Sequence, residues 1–109
     1  MPGATGAAES GPAYVVTSEV HVDPAGTQTL EHAFADRLGK VDDYPGFQRL
    51  EVWRDHAGAG RYLMVSWWDD EESFRRYMRS AEHRESHARM PTDPRPRGVG
   101  LSRYTRVAD

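Results

Sequence analysis

Two histidines four residues apart are the side chains in this sequence best suited to chemistry. His83 and His87 fall in a segment with helical character, where that spacing puts side chains on one face. A neutral imidazole is a good iron ligand, and a helix fixes its direction. The pair could also hold a divalent cation, although no third ligand is evident nearby. The plainer alternative is a surface position in the polar run 82–87.

Three aromatic residues precede these histidines at spacings that could wall a pocket. Trp68 ends an apolar run, and Phe74 and Tyr77 lie three residues apart in the following helical segment. Tyr77 is ten residues before His87, which is close to three helical turns, and a break near Ser80 could realign the two faces. The alternatives are core packing for Tyr77 and packing at a subunit interface for Trp68.

Arginines surround His87 on both sides in the sequence. Guanidinium groups bind carboxylates through paired donors, which suits an acidic ligand. The alternative for each arginine is a place on a solvated, charged surface. The arginines near His87 are Arg84, Arg89, Arg95 and Arg97.

Composition excludes several classes of function. The chain has 109 residues, enough for one domain, with 38% hydrophobic and 28% charged residues, as in globular proteins. A net charge of −3 lacks the basic footprint of a nucleic-acid-binding protein. The absence of cysteine excludes thiolate zinc sites and a cysteine nucleophile. No run approaches the roughly 20 apolar residues that cross a bilayer, so we expect no membrane association.

The first twelve residues are small and rich in glycine and proline. We expect residues 1–12 to be a disordered tail and residues 13–109 to form a single domain. The tail has neither a basic region nor an apolar core, so it does not resemble a secretory signal. These features predict a cytoplasmic protein.

Hydrophobic periodicity predicts the elements that must position the candidate residues. Alternating and helical patterns follow each other in the order strand, helix, strand, strand, helix, strand. This β-α-β-β-α-β order predicts an α+β, ferredoxin-like fold, with an antiparallel sheet and both helices on one face. The predicted segments are a strand at 13–22, a helix capped by Thr27 with the stripe Leu30, Ala33, Phe34, Leu38 and Val41, a hairpin of 47–54 and 61–68, a helical region at 69–90 capped by Asp69 or Asp70, and a strand at 99–107.

Both faces of the strand at 61–68 are largely apolar. Helices can cover only one of them, and we expect Trp67 to lie in the core beneath those helices. Something else must cover the other face. The economical solution is a homodimer in which two sheets pack against each other.

Several short stretches together resemble the antibiotic biosynthesis monooxygenase superfamily. They are Tyr44-Pro-Gly-Phe47, Arg61-Tyr-Leu-Met-Val-Ser-Trp-Trp68, Glu72-Ser-Phe74, and Ser80 followed seven residues later by His87. The resemblance covers about Ala13 to Met90. It implies a dimeric α/β barrel of two ferredoxin-like protomers. It also implies a monooxygenase, in a superfamily that contains heme-degrading members and members that oxidise aromatic polyketides without a cofactor.

The resemblance also implies roles for individual residues. His87 matches the proximal heme ligand of the heme-degrading members, and Tyr77 stands where they have a tryptophan that distorts the porphyrin. Ser18 stands where they have an asparagine near the distal heme face; a shift of one residue would put Glu19 there instead. Trp68 matches the strand-end tryptophan common across the superfamily.

We therefore expect a small monooxygenase that binds heme through His87 and uses dioxygen on heme or on a small organic substrate. One alternative is a cofactor-independent monooxygenase acting on an aromatic, quinone-like substrate. Another is a non-catalytic dimer that binds a small ligand. The site should lie between the sheet and the second helical region, with catalytic residues Ser18, Trp68 and Tyr77, cofactor-binding residues His87, Phe74, Met64, Val20 and Arg84, and Val16 in its wall.

Overall fold

Four antiparallel strands form one sheet, and the helices pack on one of its faces. The computed structural model describes residues 13–37 and 43–109. The sheet order is β2-β3-β1-β4, so the prediction of a ferredoxin-like α+β fold is confirmed. The expected tail at 1–12 and the helix positions Leu38 and Val41 lie outside the described residues. The strands are β1 (Tyr14–His21), β2 (Phe47–Arg54), β3 (Arg61–Trp68) and β4 (Arg97–Thr105).

The helices pack on the sheet through two separate groups of buried side chains. The tryptophan cluster contains Val16, Trp68, Phe74 and Tyr77. The α1 cluster contains Val20, Val22, Leu30, Phe34 and Tyr62. Val16 and Val20 have the same parity on β1, so both clusters lie on one face of the sheet, which we call the helix face.

Helix α1 (Thr27–Arg37) begins after a short 3₁₀ turn at Pro24–Gly26. Asp23 caps that turn, with its Oδ1 accepting a hydrogen bond from the Ala25 amide at 2.9 Å. The prediction that Thr27 is the N-cap is therefore wrong, because Thr27 already has helical backbone angles. Proline at the first position of the turn presets φ for a helical conformation. Helical backbone therefore begins at Pro24, three residues before Thr27.

The second helical region is split, as the sequence predicts. Helix α2 (Glu71–Met78) is capped by Asp70, whose Oδ1 accepts from the Ser73 hydroxyl at 2.7 Å and the Ser73 amide at 2.8 Å. These two hydrogen bonds lower the pKa of Asp70. Helix α3 (Ala81–Ala88) is capped by Ser80. None of the described helices is both long enough and apolar enough to span a membrane.

The two tryptophans at the end of β3 lie on opposite faces of the sheet, and Trp67 is not on the face predicted for it. Trp67 was expected beneath the helices, but it lies on the other face, which we call the open face, with the Arg49 guanidinium 5.3 Å from its ring centroid. Trp68 lies in the core and is 2% exposed. The prediction for Trp67 is wrong because the helices pack on the face shared by Val16, Val20 and Trp68.

A polar clamp joins α1 to the hairpin of β2 and β3. Glu31 accepts hydrogen bonds from Arg54 at 2.7 and 3.0 Å and from the Tyr62 hydroxyl at 2.5 Å. The bonds from Arg54 and then from Tyr62 hold the pKa of Glu31 below its ordinary value of 4.5. Burial and then the bond to Glu31 raise the pKa of Tyr62 above 10.0. The clamp thus favours the charged carboxylate and the neutral phenol.

Tyr62→Phe should lower the free energy of unfolding by about 1–2 kcal/mol near neutral pH, because it removes a hydrogen bond to a charged group. Because the pKa of Glu31 is lower in the folded state, the clamp stabilises the protein at pH values above the unfolded pKa of 4.5. This stabilisation is lost as the pH falls through the folded-state pKa. The gap between wild type and Tyr62→Phe should therefore shrink in acid. Urea unfolding near neutral pH and at about pH 3 measures it. An equal gap at both pH values would contradict the role of the Glu31 carboxylate.

Candidate functional site

A cleft of about 540 Å³ opens on the helix face, with walls drawn from both clusters. Its volume is in the range of small-molecule sites. Strands β1, β2 and β3 supply its floor, α2 and α3 supply one wall, and the segment 90–96 with β4 completes it. The lining residues are Val16, Ser18, Val20, Phe47, Leu50, Met64, Ser66, Trp68, Phe74, Tyr77, Met78, His83, His87, Ala88, Met90, Pro91, Thr92, Arg95, Pro96, Gly98 and Leu101.

The cleft brings together nearly all of the residues singled out from the sequence. Those that line it are Val16, Ser18, Val20, Met64, Trp68, Phe74, Tyr77 and His87. Strand parity explains the floor, because Ser18 pairs with Met64 on β3 and shares its face with Val16 and Val20. Glu19 lies on the opposite side and bonds His21, so Ser18 is the residue of that pair that faces the cleft.

Of the expected catalytic and cofactor-binding residues, Arg84 is the one that the structure does not place with the others; Arg89 and Arg97 also lie outside the cleft lining. Arg84 is absent from the cleft lining, and its Nη1 donates to the Arg79 carbonyl at 3.2 Å. The reason is helical geometry: His83 and His87 face the cleft, and Arg84 is turned about 100° from His83 around α3. The cleft contains Arg95 instead, which enters from the segment after α3.

A chain of ring contacts runs from the floor of the cleft to its rim. The ring centroids of Trp68 and Tyr77 are 5.3 Å apart, and those of Tyr77 and His83 are 5.2 Å apart. His83 and His87 follow at 6.2 Å. His83 is half-buried in this chain, whereas His87 is exposed at the rim. From the sequence, His83 was a candidate for a divalent cation or a surface position, although its spacing from His87 already put it on the cleft side.

Most polar atoms on the floor are already paired. The Trp68 indole Nε1 donates to the Ser66 Oγ at 2.9 Å, and that hydroxyl lies 3.5 Å from the Val16 carbonyl oxygen. The Ser18 hydroxyl has no partner among residues 13–37 and 43–109. Ser18 therefore offers an available donor on an otherwise apolar floor.

Thioether side chains make up part of the wall. Met64, Met78 and Met90 all line the cleft, from β3, α2 and the segment after α3. Methionine is flexible and polarisable, so it adapts to the outline of a ligand. Only Met64 could be predicted from the sequence, because the positions of Met78 and Met90 depend on how the helical region folds back over the sheet.

The described residues of the cleft offer few potential metal ligands. In the described part of the chain, no three His, Asp or Glu side chains come together. One accessible imidazole, His87, stands at the edge of an apolar cleft, with Arg95 in the same lining. This arrangement suits a largely apolar ligand with one coordination position free and acidic groups at its edge.

Ser80 sets the direction of the helix that carries both histidines. Its Oγ donates to the Tyr77 carbonyl at 2.6 Å and accepts from the His83 amide at 3.1 Å. Ser80→Ala should lower the free energy of unfolding by about 1 kcal/mol, the usual cost of losing an N-cap. Ser80→Thr keeps both bonds and should stay near wild type. Equal losses for Ala and Thr in urea unfolding would contradict a capping role.

Comparison with known proteins places this arrangement in a family. Residues 13–89 match the family model described as antibiotic biosynthesis monooxygenase. A heme oxygenase (staphylobilin-producing) of Staphylococcus saprophyticus is 32% identical over 76 residues, which are 68% of this chain and 72% of the relative. A heme oxygenase (mycobilin-producing) of Mycobacterium tuberculosis is 31% identical over 87 residues, 79% of this chain and 82% of the relative.

Solved structures share the fold. The heme-degrader MhuD of Mycobacterium tuberculosis, with two hemes bound in its active site, superposes with a TM-score of 0.73 at 26% identity, covering 89% of this chain and 97% of that one. SnoaB, a cofactor-independent oxygenase from Streptomyces nogalater, superposes with a TM-score of 0.71 at 18% identity, covering 91% and 97%. At that lower identity the second likeness concerns the fold alone.

Proposed function

Because this chain belongs to the antibiotic biosynthesis monooxygenase family, we propose that it is an oxygenase whose cleft binds heme through His87. The oxidoreductase class agrees with the names of its relatives, which are heme oxygenases. The observation that carries the proposal is the position of His87, an accessible imidazole on α3 in the lining of an apolar cleft.

The residues present fit a porphyrin. A porphyrin is flat and apolar, and aromatic and thioether walls match both properties. Trp68, Phe74 and Tyr77 are buried, so they form a firm surface, while Met64 and Met78 can adjust around it. A neutral imidazole would supply a ligand for the iron. Arg95 gives the same lining a cation suited to the carboxylates at the porphyrin edge.

Bound heme would supply an iron centre at which dioxygen reacts. The chain's own contribution is binding, orientation and exclusion of water. His87 would bind the iron from the α3 wall, and the aromatic walls would keep bulk water from the floor. The Ser18 hydroxyl, on the β1 floor, is free to donate a hydrogen bond to a polar atom bound in the cleft.

Hemin titration tests the proposal directly. The wild-type protein should shift the Soret band on binding, and His87→Ala should abolish that shift because it removes the imidazole that would bind the iron. His56→Ala is the matched control: His56 lies exposed in the hairpin loop, outside the cleft. It should bind hemin as the wild type does.

Equal binding of hemin by His87→Ala would overturn ligation by His87. Complete absence of a Soret shift in the wild type would overturn heme binding itself. The cofactor-independent alternative then predicts oxygen uptake with an aromatic quinol. A non-catalytic dimer predicts ligand binding without oxygen uptake.

We also propose that two copies of the chain pair through the open face. Both core clusters lie on the helix face, so the described helices leave the other side of the sheet uncovered. That side carries large exposed rings, with Trp53 48% and Tyr104 55% accessible. Large rings left exposed on an uncovered face of a sheet suit an interface with a second apolar face. A second copy offers the same surface and completes the α/β barrel expected from the sequence.

Sedimentation should show a dimer at micromolar concentration. Tyr104→Glu should shift the protein towards monomer, because it places a charge on the uncovered face. His32→Glu adds a carboxylate on the exposed surface of α1, away from the sheet, and should leave the dimer intact. A wild-type monomer at that concentration would contradict the proposal.

A further inference from the structure

Two of the buried rings in the cleft lining belong to side chains that one-electron oxidants attack readily. They are the indole of Trp68 and the phenol of Tyr77, whose ring centroids are 5.3 Å apart. An oxidant formed in the cleft would therefore meet two side chains that can each supply an electron. Both are too deeply buried for a reductant in solution to reach them directly.

Aromatic contact continues from Tyr77 to the surface. The ring of Tyr44 lies nearly edge-on to the ring of Tyr77, with 5.1 Å between the centroids. Tyr44 is outside the cleft lining and partly exposed, between the exposed residues Asp43 and Pro45. Trp68, Tyr77 and Tyr44, which we call the ring path, thus connect the floor of the cleft with solvent. Because electron tunnelling falls off exponentially with distance, two short steps between touching rings are much faster than one long step.

Phenylalanine separates the other partly exposed tyrosine from the ring path. Tyr14 pairs with Trp68 in strand register, but its ring contact is with Phe74, at 6.0 Å. The remaining ring contacts of Trp68 among the described residues are Phe47 at 5.4 Å and Phe74 at 5.7 Å. An oxidant that removes an electron from tyrosine does not oxidise phenylalanine. The contacts therefore favour Tyr44 over Tyr14 as the outer end of the path.

A ligand that occupies the cleft covers its floor and closes the direct way in, yet reactions of dioxygen consume electrons. We propose that the ring path carries electrons to an oxidant in the cleft from a small one-electron reductant, such as ascorbate, that acts at Tyr44. The proposal rests on the proposed function, because bound heme would be the centre at which the oxidant forms.

Electrons and protons balance with hydrogen peroxide as the oxidant. Each peroxide takes up two electrons and two protons and becomes two water molecules. Trp68 and Tyr77 lose and regain each electron without net change, and the indole proton stays with the Ser66 Oγ, 2.9 Å from Nε1. Tyr44 supplies the electron and releases its phenolic proton to water. Ascorbate returns one electron and one proton to each phenoxyl radical and becomes dehydroascorbate after two transfers.

A nitrone spin trap, which captures protein radicals as stable adducts, tests the ring path. In the hemin-loaded wild type treated with peroxide, peptide mass spectrometry should find the adduct at Tyr44, and ascorbate should suppress it. Tyr44→Phe keeps the ring but removes the oxidisable phenol, so this adduct should be lost. Tyr14→Phe is the matched control, because Tyr14 is also partly exposed and packs on the same cluster. That variant should keep the adduct at Tyr44.

Three results would overturn the ring path while ligation of heme by His87 stands. The first is a wild type that binds hemin and forms no adduct at Tyr44. The second is an adduct at Tyr14 in its place. The third is an equal adduct at Tyr44 without hemin, which would mean that peroxide attacks this side chain from solution.

Pulse radiolysis tests the path even if hemin does not bind. Azide radicals oxidise indoles, and in Trp53→Phe/Trp67→Phe the remaining tryptophan is Trp68. The absorption of its indolyl radical should give way to that of a tyrosine phenoxyl radical. Adding Tyr77→Phe should block this transfer, because it removes the first step of the path. Transfer that is unchanged by Tyr77→Phe would overturn the proposal.

Discussion

The packing of one indole holds the second helical region on the sheet. Trp68 is 2% exposed and contacts the rings of Phe47, Phe74 and Tyr77 at centroid distances between 5.3 and 5.7 Å. Each such pair contributes about 0.5–1.5 kcal/mol beyond the area it buries. Ser66 accepts the indole N–H, so burial leaves no polar atom unpaired. The place of α2 depends on this contact, and the direction of α3 and its histidines depends on α2.

The same packing explains why a cleft exists at all. The helix face has two clusters because α1 packs at one end and α2 at the other, and the middle of the floor has small or flexible side chains. Ser18, Ser66 and Met64 occupy that middle. Two serines cannot fill the space between helix and sheet as leucine would, so the gap is available to a ligand.

Local periodicity was enough to predict the fold and most of the site. Alternation on β1 put Val16, Ser18 and Val20 on one face, and this face is the floor of the cleft. Helical spacing linked Phe74 to Tyr77, and a serine with N-cap character located the break at Ser80. These residues could be predicted because each depends on neighbours within a few positions along the chain.

What the sequence could not decide depends on contacts between distant segments. Parity shows that Trp67 and Trp68 oppose each other, but both faces of β3 are apolar, so parity does not say which face the helices cover. Likewise, Arg84 precedes His87 on the same helix, yet the path of the later segment brings Arg95 to the cleft instead. The cap at Asp23 could not be predicted either, because it belongs to a short 3₁₀ turn that the α-helical spacing of apolar residues does not reveal.

If dioxygen reacts in the cleft, the thioethers in its wall would be exposed to oxidation. Met64, Met78 and Met90 are within the cavity, and Met1 is the only other methionine in the chain. Each thioether that captures a stray oxidant gains one oxygen atom and becomes a polar sulfoxide. The wall would become more polar with each methionine oxidised, and mass spectrometry would detect each step as the mass of one added oxygen atom.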